Sequence, residues 1–286
     1  MTSPQTGGPG YDARIRRAQF LAARHAFAAE VLAFYEHIAA FHKRLYAQFP
    51  QPGDPRPANA VQASCPALRS PLDLALLLQH FPDLLSLLQR VGPEPVAAAA
   101  RELALQGPAA WITYLTDHWS AAGLAPEKPT EPRSSSETLV EFILRAFLQP
   151  YAEFLAFRSA APPAVGTPNA CPLCGSLPLL GVLRPEGDGG RRALVCSLCL
   201  SEWNFRRILC PACGEEAENK LPVYVVEQLP QLRVEACDTC HFYIRTIDLT
   251  KDGHAVPMVD DLAAIPLSLW ASEHGYSRIH PNLLST

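Results

Sequence analysis

No basic surplus runs through this chain. Lys and Arg number 24 against 28 Asp and Glu, a net charge of −4. Between residues 171 and 250 there are eight basic side chains to ten acidic ones, a net of −2. A protein that grips a phosphate backbone carries a basic face, so nucleic acid is not an expected partner. Long apolar runs are missing too. The longest uncharged stretch, Ser159 to Leu183, holds five prolines and two cysteines and cannot form a membrane helix. Met1 to Gly10 is polar and rich in Pro and Gly, without the apolar centre of an export signal. The expectation is a cytoplasmic chain whose thiols stay reduced. Also absent are a Gly-rich phosphate loop, a His-Glu-x-x-His pair and a Ser-centred nucleophile elbow. No catalytic constellation is expected outside the cysteines.

The cysteines are what the sequence does have. Of nine, eight fall in four Cys-x-x-Cys pairs: Cys171 with Cys174, Cys196 with Cys199, Cys210 with Cys213, and Cys237 with Cys240. Two thiolates so spaced can bite one metal ion, and a following Gly lets the backbone turn beneath them. Gaps of 21 residues (Cys174 to Cys196) and 23 residues (Cys213 to Cys237) each fit one β-hairpin, whereas only ten residues separate Cys199 from Cys210. Neighbouring pairs are therefore expected to share a metal. Cys171, Cys174, Cys196 and Cys199 form site one; Cys210, Cys213, Cys237 and Cys240 form site two. Each second pair is followed by a similar aromatic and basic segment, Glu202 to Ile208 and Phe242 to Ile247. Two tandem ribbon modules explain this repeat. Disulfides are disfavoured in a chain large enough to build a core without them, and a thioredoxin-type dithiol needs a βαβ setting. Four thiolates hold zinc or a single iron equally well.

The first half reads as helical. No Pro or Gly interrupts Asp12 to Phe49, and Phe27, Val31, Phe34, Ile38, Phe41 and Leu45 recur at steps of four and three, which predicts one long helix. His25, His37 and His42 within it read as solvated or packed side chains. Five prolines between residues 50 and 66 make a loop, and its Cys65 reads as incidental. Further helices are expected over 72–80 and 83–90, broken at Pro82, then over 93–106, ended by Gly107, and 108–120. A polar loop covers 121–135. A long helix over 136–158 is capped by Ser136 and kinked by Pro150. A C-terminal helix over 259–273 is capped by Asp260 or Asp261 and stopped by Gly275.

These motifs together resemble a known family. Cys171-Pro-Leu-Cys174-Gly175-Ser176, Cys196-Ser-Leu-Cys199 with Glu202-Trp203 and Arg206, and Cys210-Pro-Ala-Cys213-Gly214 look like the FdhE family of formate dehydrogenase accessory proteins. So do Cys237-Asp-Thr-Cys240 with Tyr243, Asp260-Asp261-Leu262-Ala263, and Gly275-Tyr276-Ser277-Arg278 with Pro281-Asn282. The likeness is detailed from about residue 171 to 283 and generic before that. The Gly-rich segment Arg184 to Arg192 departs from it and reads as a variable loop.

The resemblance implies a cytoplasmic maturation factor that binds the catalytic subunit of formate dehydrogenase before export. It favours iron as the metal and rubredoxin-like knuckles. The expected fold is α+β: an N-terminal α-helical bundle, two tandem rubredoxin-like or zinc-ribbon metal modules, and a C-terminal helix. The expected division is a disordered tail 1–11, a helical domain 12–160, a linker 161–170, ribbons 171–209 and 210–250, and a C-terminal part 251–286. Beyond the eight ligands, Trp203, Arg206 and His241 are candidates for supporting the sites or touching a partner, and the sequence leaves room for a homodimer. The alternative function is a rubredoxin-like electron carrier or a dithiol redox enzyme. If the ribbons are separate modules, Cys171→Ser or Cys210→Ser should unfold one ribbon and spare the helices.

Overall fold

The computed structural model describes residues 10–50, 72–121, 134–159, 169–187 and 189–284. The expected disordered tail up to residue 9, the proline loop with Cys65, most of the 121–135 loop, residue 160 and linker residues 161–168 lie outside them.

Where one helix is expected over 12–49, the chain makes two, α1 (Tyr11–Arg24) and α2 (Ala29–Tyr46). The break is at His25 (φ −126°, ψ 89°), followed by a 3₁₀ turn over Ala26–Ala28. Neither Pro nor Gly marks it. Folding back lets both helices serve one core: α1 buries Ala18 and Leu21, and α2 buries Leu32, Tyr35, Ile38 and Leu45. Phe27, first in the expected stripe, is left half exposed at the break. Helix α3 (Leu74–Val91) runs through Pro82 without stopping. Proline in a helix interior costs about 3 kcal/mol, and burial of Leu77, Phe81, Leu84, Leu85 and Leu88 outweighs it. Helix α4 (Glu94–Ala121) is broken at Gly107 (φ 77°, ψ 178°), as its Gly-Pro pair suggests. The indole N–H of Trp111 donates to the Leu103 carbonyl beside that break (2.7 Å).

Helix α5 (Ser135–Arg158) is the centre of the bundle. Its cap is Ser134, not Ser136. The Ser134 hydroxyl accepts from the Glu137 N–H (3.3 Å), and the Glu137 carboxylate accepts from the Ser134 N–H (2.9 Å), a reciprocal capping box. From Ala146 to Ala156 every residue is buried, which marks a helix covered on all sides.

The cysteine region forms one sheet. Strands β1 (Pro178–Glu186), β2 (Gly189–Cys196) and β3 (Glu202–Asn204) make one antiparallel meander, and β4 (Val223–Val225), β5 (Leu232–Ala236) and β6 (Phe242–Asp248) make another. The order is β3-β2-β1-β6-β5-β4, and β1 joins β6 in parallel with Gly181 opposite Thr246. A side chain on Gly181 would collide with Thr246 Oγ1, so the join between the repeats requires glycine there. A short β7 (Ser277–Arg278) adds to β6.

The two sheet faces have different partners. Leu194, Ile244 and the site-one cysteines belong to the same core as the helices, whereas Leu180, Val182, Val234 and Ile247 pack with Leu267 and Ala271. The latter two sit on α7 (Ile265–Glu273). The single C-terminal helix expected over 259–273 is in fact α6 (Pro257–Ala263) and α7, parted at Ala264. Pro266 has no N–H to carry a helix across this point and suits the first turn of a new one.

Candidate metal centres

Each Cys-x-x-Cys pair is built as the same small turn. The N–H of the first cysteine donates to the carbonyl five residues on: Cys171 to Ser176, Cys196 to Ser201, Cys210 to Glu215, and Cys237 to Phe242, at 2.8–3.0 Å. In three of the four, the residue after the second cysteine donates back to the first cysteine's carbonyl: Gly175, Gly214 and His241, at 2.8–3.0 Å. This residue has positive φ in every knuckle: Gly175 77°, Leu200 55°, Gly214 80° and His241 58°. Glycine fills the position at no cost in the first knuckle of each pair. Leu200 and His241 fill it in the second, where a side chain is strained by about 1–2 kcal/mol.

Because each meander starts after one knuckle and returns to the other, the knuckles meet in neighbouring pairs. In site one the Sγ atoms of Cys171 and Cys199 are 3.7 Å apart and those of Cys174 and Cys196 3.3 Å apart. In site two Cys210 and Cys240 are 3.8 Å apart and Cys213 and Cys237 3.7 Å apart. Within each group all four sulfurs lie within 4.8 Å of one another, and only cysteines supply the atoms. A regular tetrahedron with metal–sulfur bonds of about 2.3 Å has sulfur–sulfur edges of about 3.8 Å. Each group therefore fits one tetrahedral ion.

The electrostatics agree. Four thiolates so close repel one another unless a cation sits among them. Burial pushes the Cys196 thiol well up and the Cys210 thiol up to about 11, while hydrogen bonds from Cys171 and Cys196 pull Cys174 down. Metal-free thiols would have to share protons; a divalent ion takes their place. Backbone N–H groups already point at the sulfurs, from Leu198 and Cys199 to Cys196 (3.3 and 3.4 Å) and from Ala212 to Cys210 (3.4 Å).

The centres differ in access. All four site-one cysteines are buried, whereas in site two Cys213 is exposed and Cys240 partly so.

Trp203, Arg206 and His241 are not brought together as a set. Trp203 is buried in the core that includes Phe205 and the site-one cysteines. Arg206 is exposed and pairs with Glu216 (2.6 and 3.1 Å). His241 is a turn residue beside Tyr276, ring centroids 6.2 Å apart.

The sequence reading passed over a set of buried ion pairs that seat the sheet on the helices. Arg17 of α1 meets Asp260 (2.9 and 2.5 Å) and Asp252 (2.7 Å). Arg14 meets Glu153 of α5 in a two-bonded pair (3.0 and 2.7 Å). Asp261, fully buried, takes Arg245 from β6 and Arg278 from β7, each at 2.8 Å, and Asn282 at 3.0 Å. Asp260 also accepts from the Val256 N–H (2.8 Å), but α6 starts at Pro257 behind Val256, so Asp260 and Asp261 lie inside the helix and neither is the N-cap expected of them. The signal was in the sequence. Asp260-Asp261, Arg278 and Asn282 all lie in the segments that carry the family resemblance.

Comparison with known proteins agrees with this architecture. Residues 170–207 match the family described as FdhE, central domain, and residues 208–285 match FdhE, C-terminal domain. An FdhE homolog of Aquifex aeolicus is 34% identical over 150 residues, 52% of this chain and 53% of that protein. One from Pseudomonas aeruginosa is 40% identical over 121 residues, 40% of this chain and 38% of that protein. The aligned segments thus span about half or less of these relatives. The crystal structure of the FdhE protein from Pseudomonas aeruginosa superposes with a TM-score of 0.68 at 26% identity, covering 97% of both chains. With two domain matches side by side, relatives over the same region and one architecture throughout, the chain resembles the FdhE family, in sequence from residue 170 on and in fold along its length.

Proposed function

We propose that this chain is a non-enzymatic accessory protein in the maturation of a formate dehydrogenase, acting in the cytoplasm and binding the enzyme's catalytic subunit before export through its metal–thiolate module. The observation that carries the reading is the pair of four-sulfur groups on one sheet, one sealed against the helices and one open to solvent. In this reading all eight paired cysteines are metal ligands. Site one is a structural staple and site two faces the partner. Trp203 supports site one from the core, while Arg206 and His241 lie on the contact side. Iron is the proposed metal by family resemblance, and zinc suits the same ligands. The division of the chain at residues 160, 170, 209 and 250, and self-association as a homodimer, belong to the same proposal.

One observation favours the second reading, a rubredoxin-like carrier: a solvent-facing sulfur such as Cys213 gives an electron a short way out of site two. Elemental analysis and an absorption spectrum of anaerobically prepared protein separate the two. Zinc alone would end the carrier reading. The accessory reading is tested by co-purification with the formate dehydrogenase catalytic subunit, for wild type and for Cys213→Ser. Binding is expected for the first and reduced for the second. Failure of the wild type to bind the subunit, or to restore formate dehydrogenase activity to cells lacking their own accessory protein, would sink it.

A further inference from the structure

The exposed side of α1 looks across a cleft of about 980 Å³. Its far wall is the β4–β5 turn, with Gln228 and Leu229, and the turn before α6, with Asp252 and His254. Three arginines of α1 line the near wall. Arg17 is committed to Asp260 and Asp252. Arg16 and Arg24 are exposed, and among the described residues neither has an ion-pair partner. They lie two helical turns apart with Phe20 midway, so the three share one face. Phe20 is 45% exposed, and the guanidinium carbons of Arg24 and Arg17 sit 4.6 and 5.3 Å from its ring centroid. With Arg17 neutralised, this cleft carries unpaired positive charge on a chain whose net charge is −4.

We propose that the cleft docks an acidic segment of a partner polypeptide, with carboxylates on Arg16 and Arg24 and an apolar side chain against Phe20. Charge complementarity selects the sign: a guanidinium fork pairs with a carboxylate through two parallel hydrogen bonds. The ring selects a peptide over a simple anion, since an aromatic surface between two cations gains most from an apolar group laid on it. Size agrees, because a volume near the upper end of ligand sites, roughly 300–1,000 Å³, exceeds the needs of one small anion. A nucleic acid fits less well. A phosphate backbone needs a longer basic face than two arginines, and residues 171 to 250 carry a net charge of −2. No cysteine of the two sulfur groups lines this cleft, so the inference stands apart from the metal centres and from the identity of any enzyme partner.

The test is fluorescence anisotropy of the full-length, metal-loaded protein with a labelled octapeptide of six glutamates, one phenylalanine and one leucine. Saturable binding is expected, and it should weaken as salt is raised. Reversing both cations (R16E with R24E) should weaken it by about tenfold or more. Phe20→Ser should weaken it several-fold while leaving its salt dependence. All three side chains are exposed, so the variants should keep the wild-type circular dichroism and metal content. No saturable binding, equal binding of a peptide with lysines in place of the glutamates, or unchanged affinity in the double variant would each overturn the proposal. So would displacement of the peptide by an equimolar single-stranded oligonucleotide.

Discussion

The Nε2 of His42 lies 2.6 Å from the carbonyl oxygen of Ala146, the acceptor that Pro150 leaves without its helical donor four residues on. A carbonyl only accepts, so Nε2 carries the proton. Nδ1 is buried with no partner among the described residues, and the ring is neutral. A histidine of α2 thus repairs the hydrogen-bond ladder of α5, and this lets the central helix carry a proline inside a core. Burial, with the Arg14 guanidinium nearby, holds the ring's pKa down at about 3.

That depressed pKa fixes the direction of a pH effect. Unfolded, the histidine titrates near 6.5. Between about 6.5 and 3 the unfolded chain holds a proton that the folded chain rejects, so stability is fully present above about 6.5 and falls as pH drops. The slope is about 1.4 kcal/mol per pH unit for one proton. In urea titrations at pH 7 and pH 5, His42→Gln should lose clearly less stability than wild type over this interval. At pH 7 it should cost on the order of 1 kcal/mol through a poorer bond to Ala146. Equal losses in the two proteins would show that His42 is protonated in the fold.

Asp261 is the hinge pin between the last segment of the chain and the sheet. Burial opposes its ionisation, but Arg245 and Arg278 outweigh burial and hold its carboxyl below the usual carboxylate range. A depressed carboxyl contributes stability above its unfolded pKa of about 3.9 and loses it as pH falls through the lower folded value. At neutral pH Asp261→Asn strands two largely buried guanidiniums, which should cost about 3–5 kcal/mol. Thermal melts of the variant should show a lowered midpoint with both metals still bound. A variant as stable as wild type would mean that solvent reaches this cluster.

What the sequence disclosed, and what it hid, follows from the range of the forces involved. Knuckles, hairpins and the Gly107 break are local, set by residues within a few positions; the spacing of Cys171 to Cys240 revealed the first two, and the Gly107-Pro108 pair the third. The break at His25 is not local. Nothing in that stretch disfavours a continuous helix, and only the core shared by α1 and α2 makes folding back worthwhile. Pro82 misled in the opposite direction, because its local cost is overridden by the leucines around it. The merging of two ribbons into one sheet through β1 and β6 depends on Gly181 facing Thr246, residues 65 positions apart. His42 and Asp261 were visible as residue types. Their roles needed the partner carbonyl and the partner arginines in space.

His241 separates a ligand from a turn former. It follows Cys240 directly, yet its φ of 58° and its place in the knuckle match Gly175 and Gly214. His241→Gly should therefore bind two metal ions as wild type does and be equal or greater in stability, by up to about 1 kcal/mol, since glycine removes the left-handed strain. A loss of one metal ion on elemental analysis would show that the imidazole takes part in coordination.

The burial difference between the sulfur groups makes the final prediction, and it divides the two cysteine variants expected at first to behave alike. A chelator must reach a sulfur–metal bond to strip it. Exposed Cys213 offers one, while all four site-one sulfurs lie inside the core shared with the helices. Metal release to excess chelator should therefore be biphasic, one equivalent leaving quickly and one only as the chain unfolds. Cys213→Ser should abolish the fast phase and leave the slow one. The same asymmetry changes what ligand loss does to the fold. Cys171→Ser removes a ligand from a site that belongs to the same buried core as α5 and α6 side chains such as Phe154 and Val259, so helical signal should melt at a lower temperature along with the sheet. Cys210→Ser should chiefly loosen the β4–β5 side and leave the helical melt nearly unchanged. If Cys171→Ser spared the helices as fully as Cys210→Ser, the bundle and the first ribbon would be independent units despite their common core.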